Sequence, residues 1–144
     1  MIEHKELMVQ QNIRIRFNET DALGIVWHGN YLKYFEDGRE AFGREHGISY
    51  LDAKKNGYAT PVVKTSTDHK LTLTYGENTI IETYFINTDS AKLIFKYIIK
   101  NEASAIVCVG ETIQVFTSLK DNTMSLIIPE FFKAWKIKQG FLNV

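Results

Sequence analysis

Cysteine is almost missing from this chain: Cys108 is its single instance, so no disulfide can form within it, and a reducing compartment fits. Proline is nearly as scarce, with only Pro61 and Pro129 in 144 residues. Neither a proline-rich linker nor a low-complexity tract is present, and no internal repeat is visible. An excess of one charge is also absent, since Lys+Arg and Asp+Glu both number 17. Nucleic-acid binders carry a basic surplus, so no nucleic-acid partner is expected. A small anionic ligand stays open, because a few local cations suffice for one. The apolar runs are only a few residues long, far short of the roughly 20 that cross a bilayer. The opening segment MIEHKELMVQQN is polar and of mixed charge, without the cationic and apolar regions of a signal peptide. A cytoplasmic protein with no membrane span is the expectation.

What is present reads as one globular domain over residues 1–144. Hydrophobic residues make up 44% and charged residues 24%, an ordinary balance for a soluble fold. A chain of this size buries roughly 68–70% of its unfolded surface, enough to fold without a metal or a disulfide.

Asn12–Phe17 alternates strictly, with Ile13, Ile15 and Phe17 on one face and Arg14 and Arg16 on the other. That pattern predicts a half-buried strand with Phe17 facing the core. Residues 18–30 break the alternation. Tyr31, Phe35, Gly38 and Phe42 then recur at helical spacing, predicting a helix over Tyr31–Glu45. Asn30 is placed to cap its start, and Gly47 with Ile48 to close its end as a Schellman motif. Gly38 in mid-helix implies a close approach to a sheet or a tolerated surface position. Four strand-like segments follow at 59–71, 79–87, 92–100 and 104–117, and Lys92, Lys96 and Lys100 point outward from the third. Pro129 stands at the first position of a short helix carrying Phe131, Phe132 and Trp135. Short links favour antiparallel pairing, giving an α+β domain with the helix across the concave face of the sheet.

The chemistry concentrates between the first strand and the helix, in Asn18–Asn30. An acid, glycines, a Trp and a His lead directly into a helix N-terminus. Its free amides and roughly half an elementary charge favour a developing oxyanion. A carboxylate beside such amides can act as nucleophile or general base on a carbonyl. Taken on spacing alone, Asp21 reads more simply as a cap or turn residue, and His28 as a packed or capping histidine.

The run FNETDALGIVWHGNYLKYFEDGRE resembles the signature of 4-hydroxybenzoyl-CoA thioesterase-like hotdog proteins. Asp21, Gly24, Val26, His28, Asn30, Tyr31, Leu32, Phe35, Glu36 and Arg39 fall on its positions. Tyr75-Gly76-Glu77 resembles a later Tyr-Gly-Asp turn, and Gln114-Val115-Phe116 with Ile128-Pro129 the closing strand and helix. The resemblance implies a hotdog fold, an antiparallel sheet wrapped around a long central helix. It implies an acyl-CoA or acyl-carrier-protein thioesterase with no cofactor and no metal. Asp21 would be the catalytic carboxylate and the His28 backbone amide the oxyanion donor. Trp27, Gly29, Asn30 and Tyr31 would bind substrate, and a homodimer or homotetramer would complete the site. Many relatives have Tyr at the place of Phe17, Pro at Thr72 and Asp at Glu77.

Glu36 and Arg39 are one turn apart and are expected to pair with each other. His4, His28, His46 and His69 lack short metal-ligand spacing. Cys108 reads as a small core residue. No serine-hydrolase elbow, P-loop or dinucleotide fingerprint occurs. A non-catalytic acyl-thioester binding module is the alternative function, and hotdog dehydratase chemistry a third, without its His-containing motif here.

Overall fold

A computed structural model describes residues 6–143; His4 and the first part of the N-terminal segment lie outside the described residues. The alternation around Ile13 does make a strand, but a displaced one. β1 runs Met8–Arg14 rather than Asn12–Phe17. Ile15 is buried as expected, Ile13 only partly, and Phe17 has left the strand altogether. It opens a 3-10 turn, Phe17–Glu19, and stands 75% exposed. The Glu19 carboxylate accepts the Arg16 amide at 2.7 Å, so a local side-chain cap ends the strand where alternation alone would continue it.

Helix α1, Tyr31–His46, is the expected one, longer by a residue. Its apolar stripe is buried at Tyr31, Tyr34, Phe35, Gly38 and Phe42. Gly47 takes a left-handed φ of 73°, and the Ile48 amide reaches back to the Gly43 carbonyl at 3.0 Å, the bond that defines a Schellman end. The Asn30 cap does not form. Its side-chain amide donates to the Glu19 carbonyl at 2.8 Å, because a 3-10 turn, His28–Asn30, already leads into α1.

A second helix, α2 at Tyr50–Lys55, was not expected. Ser49 and Asp52 build it reciprocally: the Asp52 amide donates to Ser49 Oγ at 3.1 Å and the Ser49 amide to Asp52 Oδ2 at 2.8 Å. The segment 59–71 then splits at Pro61 into β2, Tyr58–Ala59, and β3, Val62–His69. β4 at Asn78–Ile86, β5 at Lys92–Lys100 and β6 at Ile106–Val115 follow, with β7 at Thr117–Ser118 and α3 at Glu130–Gln139. Pro129 is the N-cap of α3, one place earlier than expected, where its extended φ and ψ suit the entry into the helix.

The main sheet is antiparallel in the order β1-β4-β5-β6-β3, and β2 pairs with β7 apart from it. α1 crosses its inner face. Phe35 stacks on Tyr97 with ring centroids 4.5 Å apart, and Phe42 packs on Phe85 and Phe95. Gly38 earns its place in that contact, since a Cβ there would collide with Thr83 Oγ1, and one at Gly110 would enter the Phe35 ring. α3 closes the far end through Phe132 and Trp135, and the Trp135 indole donates to the His46 carbonyl at 2.7 Å. Cys108 is buried on the inner face beside this core.

β3 is an edge strand that α1 meets at one end, through Tyr31 on His69, and leaves open toward the middle. Thr65 stands opposite Thr112 and so shares the inner face with it, yet Thr65 is exposed.

Candidate active site

Residues 20–26 fold as a small hairpin between β1 and α1. Thr20 bridges Val26, the Asp21 amide donates to the Ile25 carbonyl at 2.8 Å, and the Gly24 amide returns to the Asp21 carbonyl at 3.0 Å. Gly24 has φ +77°, a conformation that glycine adopts without strain. The Asp21 carboxylate accepts the Leu23 amide at 2.8 Å, an Asx turn that fixes the tip. The Asp-x-x-Gly spacing is thus a turn signature in its own right, and Asp21 is exposed at its base.

One carbonyl ties the hairpin to the helix. Glu19 O accepts the Trp27 amide at 3.0 Å and the Asn30 side chain at 2.8 Å, drawing both ends of the loop together. The Val26 amide donates to Leu73 O at 2.8 Å, and Ile25 bridges Thr74, so the loop is also pinned to the segment before β4. His28, Gly29 and Asn30 follow as the 3-10 turn. The Asn30 amide donates to Trp27 O, and the Tyr31 amide to His28 O. Among the described residues no hydrogen bond occupies the amides of His28 and Gly29. Two free donors at the positive end of a 16-residue helix therefore stand at the close of the Asp21 loop.

The neighbouring side chains divide between surface and core. Trp27 is 51% exposed and leans on the exposed His28, with ring centroids 5.1 Å apart. Its indole lies over Gly29, where any Cβ would collide with it. Tyr31 is not an open pocket wall: it is 3% exposed, packed edge-on against Tyr34 and His69. Burial pushes its hydroxyl up to about 12. Burial likewise raises the Tyr34 hydroxyl, with the Glu19 carboxylate beside it adding to the shift. Phe17 meets the Tyr75 ring edge-to-face at 5.7 Å, outside the core.

Glu36 and Arg39 do not pair. Arg39 Nη1 instead donates to the Tyr97 hydroxyl at 3.2 Å, and that hydroxyl shares a 2.6 Å bond with Thr112. The buried Tyr97 oxygen is the better-fixed partner, whereas an exposed glutamate would hold Arg39 only weakly. Among the described residues no group of three His, Cys, Asp or Glu side chains could hold a metal.

Sequence reasoning missed a cavity of about 300 Å³ between the C-terminal half of α1, α2 and the sheet. Ile48, Leu93, Phe95, Phe116 and Phe131 give it apolar walls, and Arg39, Thr60 and Gln114 its polar groups. The Ser49-x-x-Asp52 capping pattern was the one available signal, since α2 forms its cover.

A family model for the thioesterase-like superfamily matches residues 15–136. The chain belongs to that superfamily. A Bacillus subtilis relative carries the name "Putative acyl-CoA thioesterase YneP". It is 36% identical over 97 residues, covering 67% of this chain and 70% of YneP. The structure of a DHNA-CoA thioesterase from Staphylococcus aureus is similar with a TM-score of 0.81 and 26% identity, covering 92% of this chain and 91% of that one. A hypothetical protein of Aquifex aeolicus, AQ1494, superposes with a TM-score of 0.78 at 26% identity, covering 89% of this chain and 99% of its own. The thioesterase-like chain described here therefore has the expected hotdog architecture, one long helix against an antiparallel sheet.

Proposed function

We propose that this protein hydrolyses acyl-CoA thioesters, with Asp21 as the reactive carboxylate and the His28 amide as oxyanion donor. Membership of the thioesterase-like superfamily supports the reaction class. The observation that carries the assignment to residues is the Glu19 carbonyl clamp, which binds the Asp21 hairpin to a helix start with two unoccupied amides. Attack at the thioester carbon makes a tetrahedral oxyanion. The His28 amide stabilises it, and the Gly29 amide is a second donor in the same turn. Collapse expels the CoA thiolate, and water supplies the hydroxyl of the acid product. Asp21 serves either as the nucleophile, through a mixed anhydride, or as the base that deprotonates water.

Acyl-carrier-protein thioesters share the same reacting bond and belong to the same proposal. No helix among the described residues is long and apolar enough to cross a membrane, and a lone buried thiol suits a cytoplasmic enzyme.

The working unit is a homodimer through β3, with a homotetramer as the next assembly. Val62 and Val63 are exposed on that edge strand, 40% and 58%, and Thr65 on its inner face is exposed too. Long uncovered edges invite pairing. A twofold axis normal to the sheet would set two β3 strands antiparallel and lay the two α1 helices side by side, pointing opposite ways. The N-terminus of each helix would then face the C-terminal half of its partner, where the cavity opens. In this assembly the Asp21 loop of one subunit serves the cavity of the other.

The binding-module alternative draws on one feature. The Asp21 carboxylate already has a structural task in the Leu23 turn. An assay of acyl-CoAs from short aliphatic to aromatic and long-chain separates the two readings. Release of free thiol is expected, and saturable binding without turnover would replace hydrolysis by carriage.

A further inference from the structure

Glu19 acts on the Asp21 loop through its side chain as well as its carbonyl. It is 8% exposed, and among the described residues no ion pair engages it. A glutamate so little exposed is uncommon without a partner that stabilises its carboxylate. The Arg16 amide is that partner, donating to Oε1 at 2.7 Å across the turn Phe17–Glu19. The bond closes the turn on itself and fixes the peptide that follows it. The carbonyl of that peptide receives both the Trp27 amide and the Asn30 side chain, as an oxygen with two lone pairs can. Asp21 lies two residues past Glu19, and the free amides of His28 and Gly29 lie one and two residues past Trp27. Helix α1 meets the same carboxylate. The Tyr34 hydroxyl lies beside it, and the Asp37 carboxyl is raised above its usual range, by burial first and by Glu19 second.

We propose that Glu19 is a positioning residue of this site: its side chain, bonded to the Arg16 amide, aims the carbonyl that sets the Asp21 carboxylate against the His28 and Gly29 amides. The inference rests on the thioesterase reading above. Glu19 acts through the loop and not on the reacting atoms. The reach of its acceptor counts, not its charge, because the Arg16 amide is a neutral donor that an amide oxygen serves as well. A misplacement of about 1 Å between reacting groups costs on the order of 100-fold in rate. The Thr20 hydroxyl, which donates to the Phe17 carbonyl at 2.7 Å, braces the same turn without touching the Glu19 carbonyl. It therefore separates the stability of the turn from its aim.

Glu19→Met, Glu19→Gln and Thr20→Val in the full chain test this by thiol release from acyl-CoAs and by amide hydrogen exchange. Met fills the buried space without an acceptor, and should lower kcat by about 10–100-fold with KM within about twofold of wild type. Gln restores the acceptor without the charge and should recover kcat to within about threefold of wild type. Thr20→Val, which loses a bond of the same turn, should stay within about threefold as well. A folded Met variant with wild-type kcat, or a Gln variant as slow as Met, would overturn the role of Glu19. Exchange reads the aim of the loop without catalysis. In wild type the Trp27 amide, held on the Glu19 carbonyl, should be protected at least about 10-fold more than the Leu23 amide at the exposed tip. Met should erase that difference and Gln should restore it. Equal protection of the two amides in wild type would overturn the proposal even if no variant folds. Protection that follows Glu19 as expected, without hydrolysis of any thioester, would instead remove the thioesterase reading and leave Glu19 as the brace of the loop.

Discussion

At Asp21 the turn and the chemistry can be separated, because asparagine keeps one and loses the other. Its oxygen still accepts the Leu23 amide, now at 2.8 Å from the carboxylate, but it is neither a base nor a nucleophile. Phe17 belongs to the same scale. Its ring faces outward beside Tyr75, so it neither borders a buried carboxylate nor fills the core. Phe17→Tyr is therefore expected to change stability by less than about 0.5 kcal/mol, as exposed substitutions do, in a urea unfolding curve. A loss above about 1 kcal/mol would show that the added hydroxyl is being buried. The strand alternation read from the sequence pointed the other way, because a cap between Glu19 and Arg16 ends β1 early and alternation cannot register it.

Among the elements, α1 was legible nearly to the residue because its 3.6-residue stripe is long and its Gly47 end is explicit. β4, β5 and β6 were legible for the same reason at period two. Helix α2 was not, since six residues are too few to establish a period, and only its capping pair announces it. Gly38 tests the packing of α1. Alanine is the better helix former, but its methyl would meet Thr83 Oγ1 and approach Ile81, so Gly38→Ala should destabilise by about 1–3 kcal/mol. Unchanged or improved stability would mean that the helix lies farther from the sheet. Ser49→Ala should cost about 1 kcal/mol through loss of the α2 cap. The Ser49 hydroxyl and amide hold the Asp52 carboxyl below its usual range. A depressed carboxylate stabilises above the unfolded value and loses that contribution as pH falls through the folded one. The gap between Ser49→Ala and wild type should accordingly narrow in acid, and a constant gap would assign the effect to something other than Asp52.

For the whole molecule, the element order and the antiparallel pairing were readable, whereas the sheet order and the cavity were not. Gln114 and Thr60 stand 54 residues apart, and no local pattern records that the fold brings them together. The assembly likewise depends on a strand edge that only the sheet order reveals. Light scattering should give a mass about twice the 16.6 kDa of the chain. Lysine at both Val63 and Thr65, two exposed positions on β3, should shift the protein toward monomer and lower activity in parallel. A monomeric wild type with full activity would refute the shared site. The most direct measurement is the rate of thiol release by Asp21→Asn beside wild type, with the melting temperature of each. The variant should melt within a few degrees of wild type and lose at least about 100-fold in kcat, on the scale of losing a principal catalytic group. A folded Asn variant that turns over at the wild-type rate would contradict the assignment.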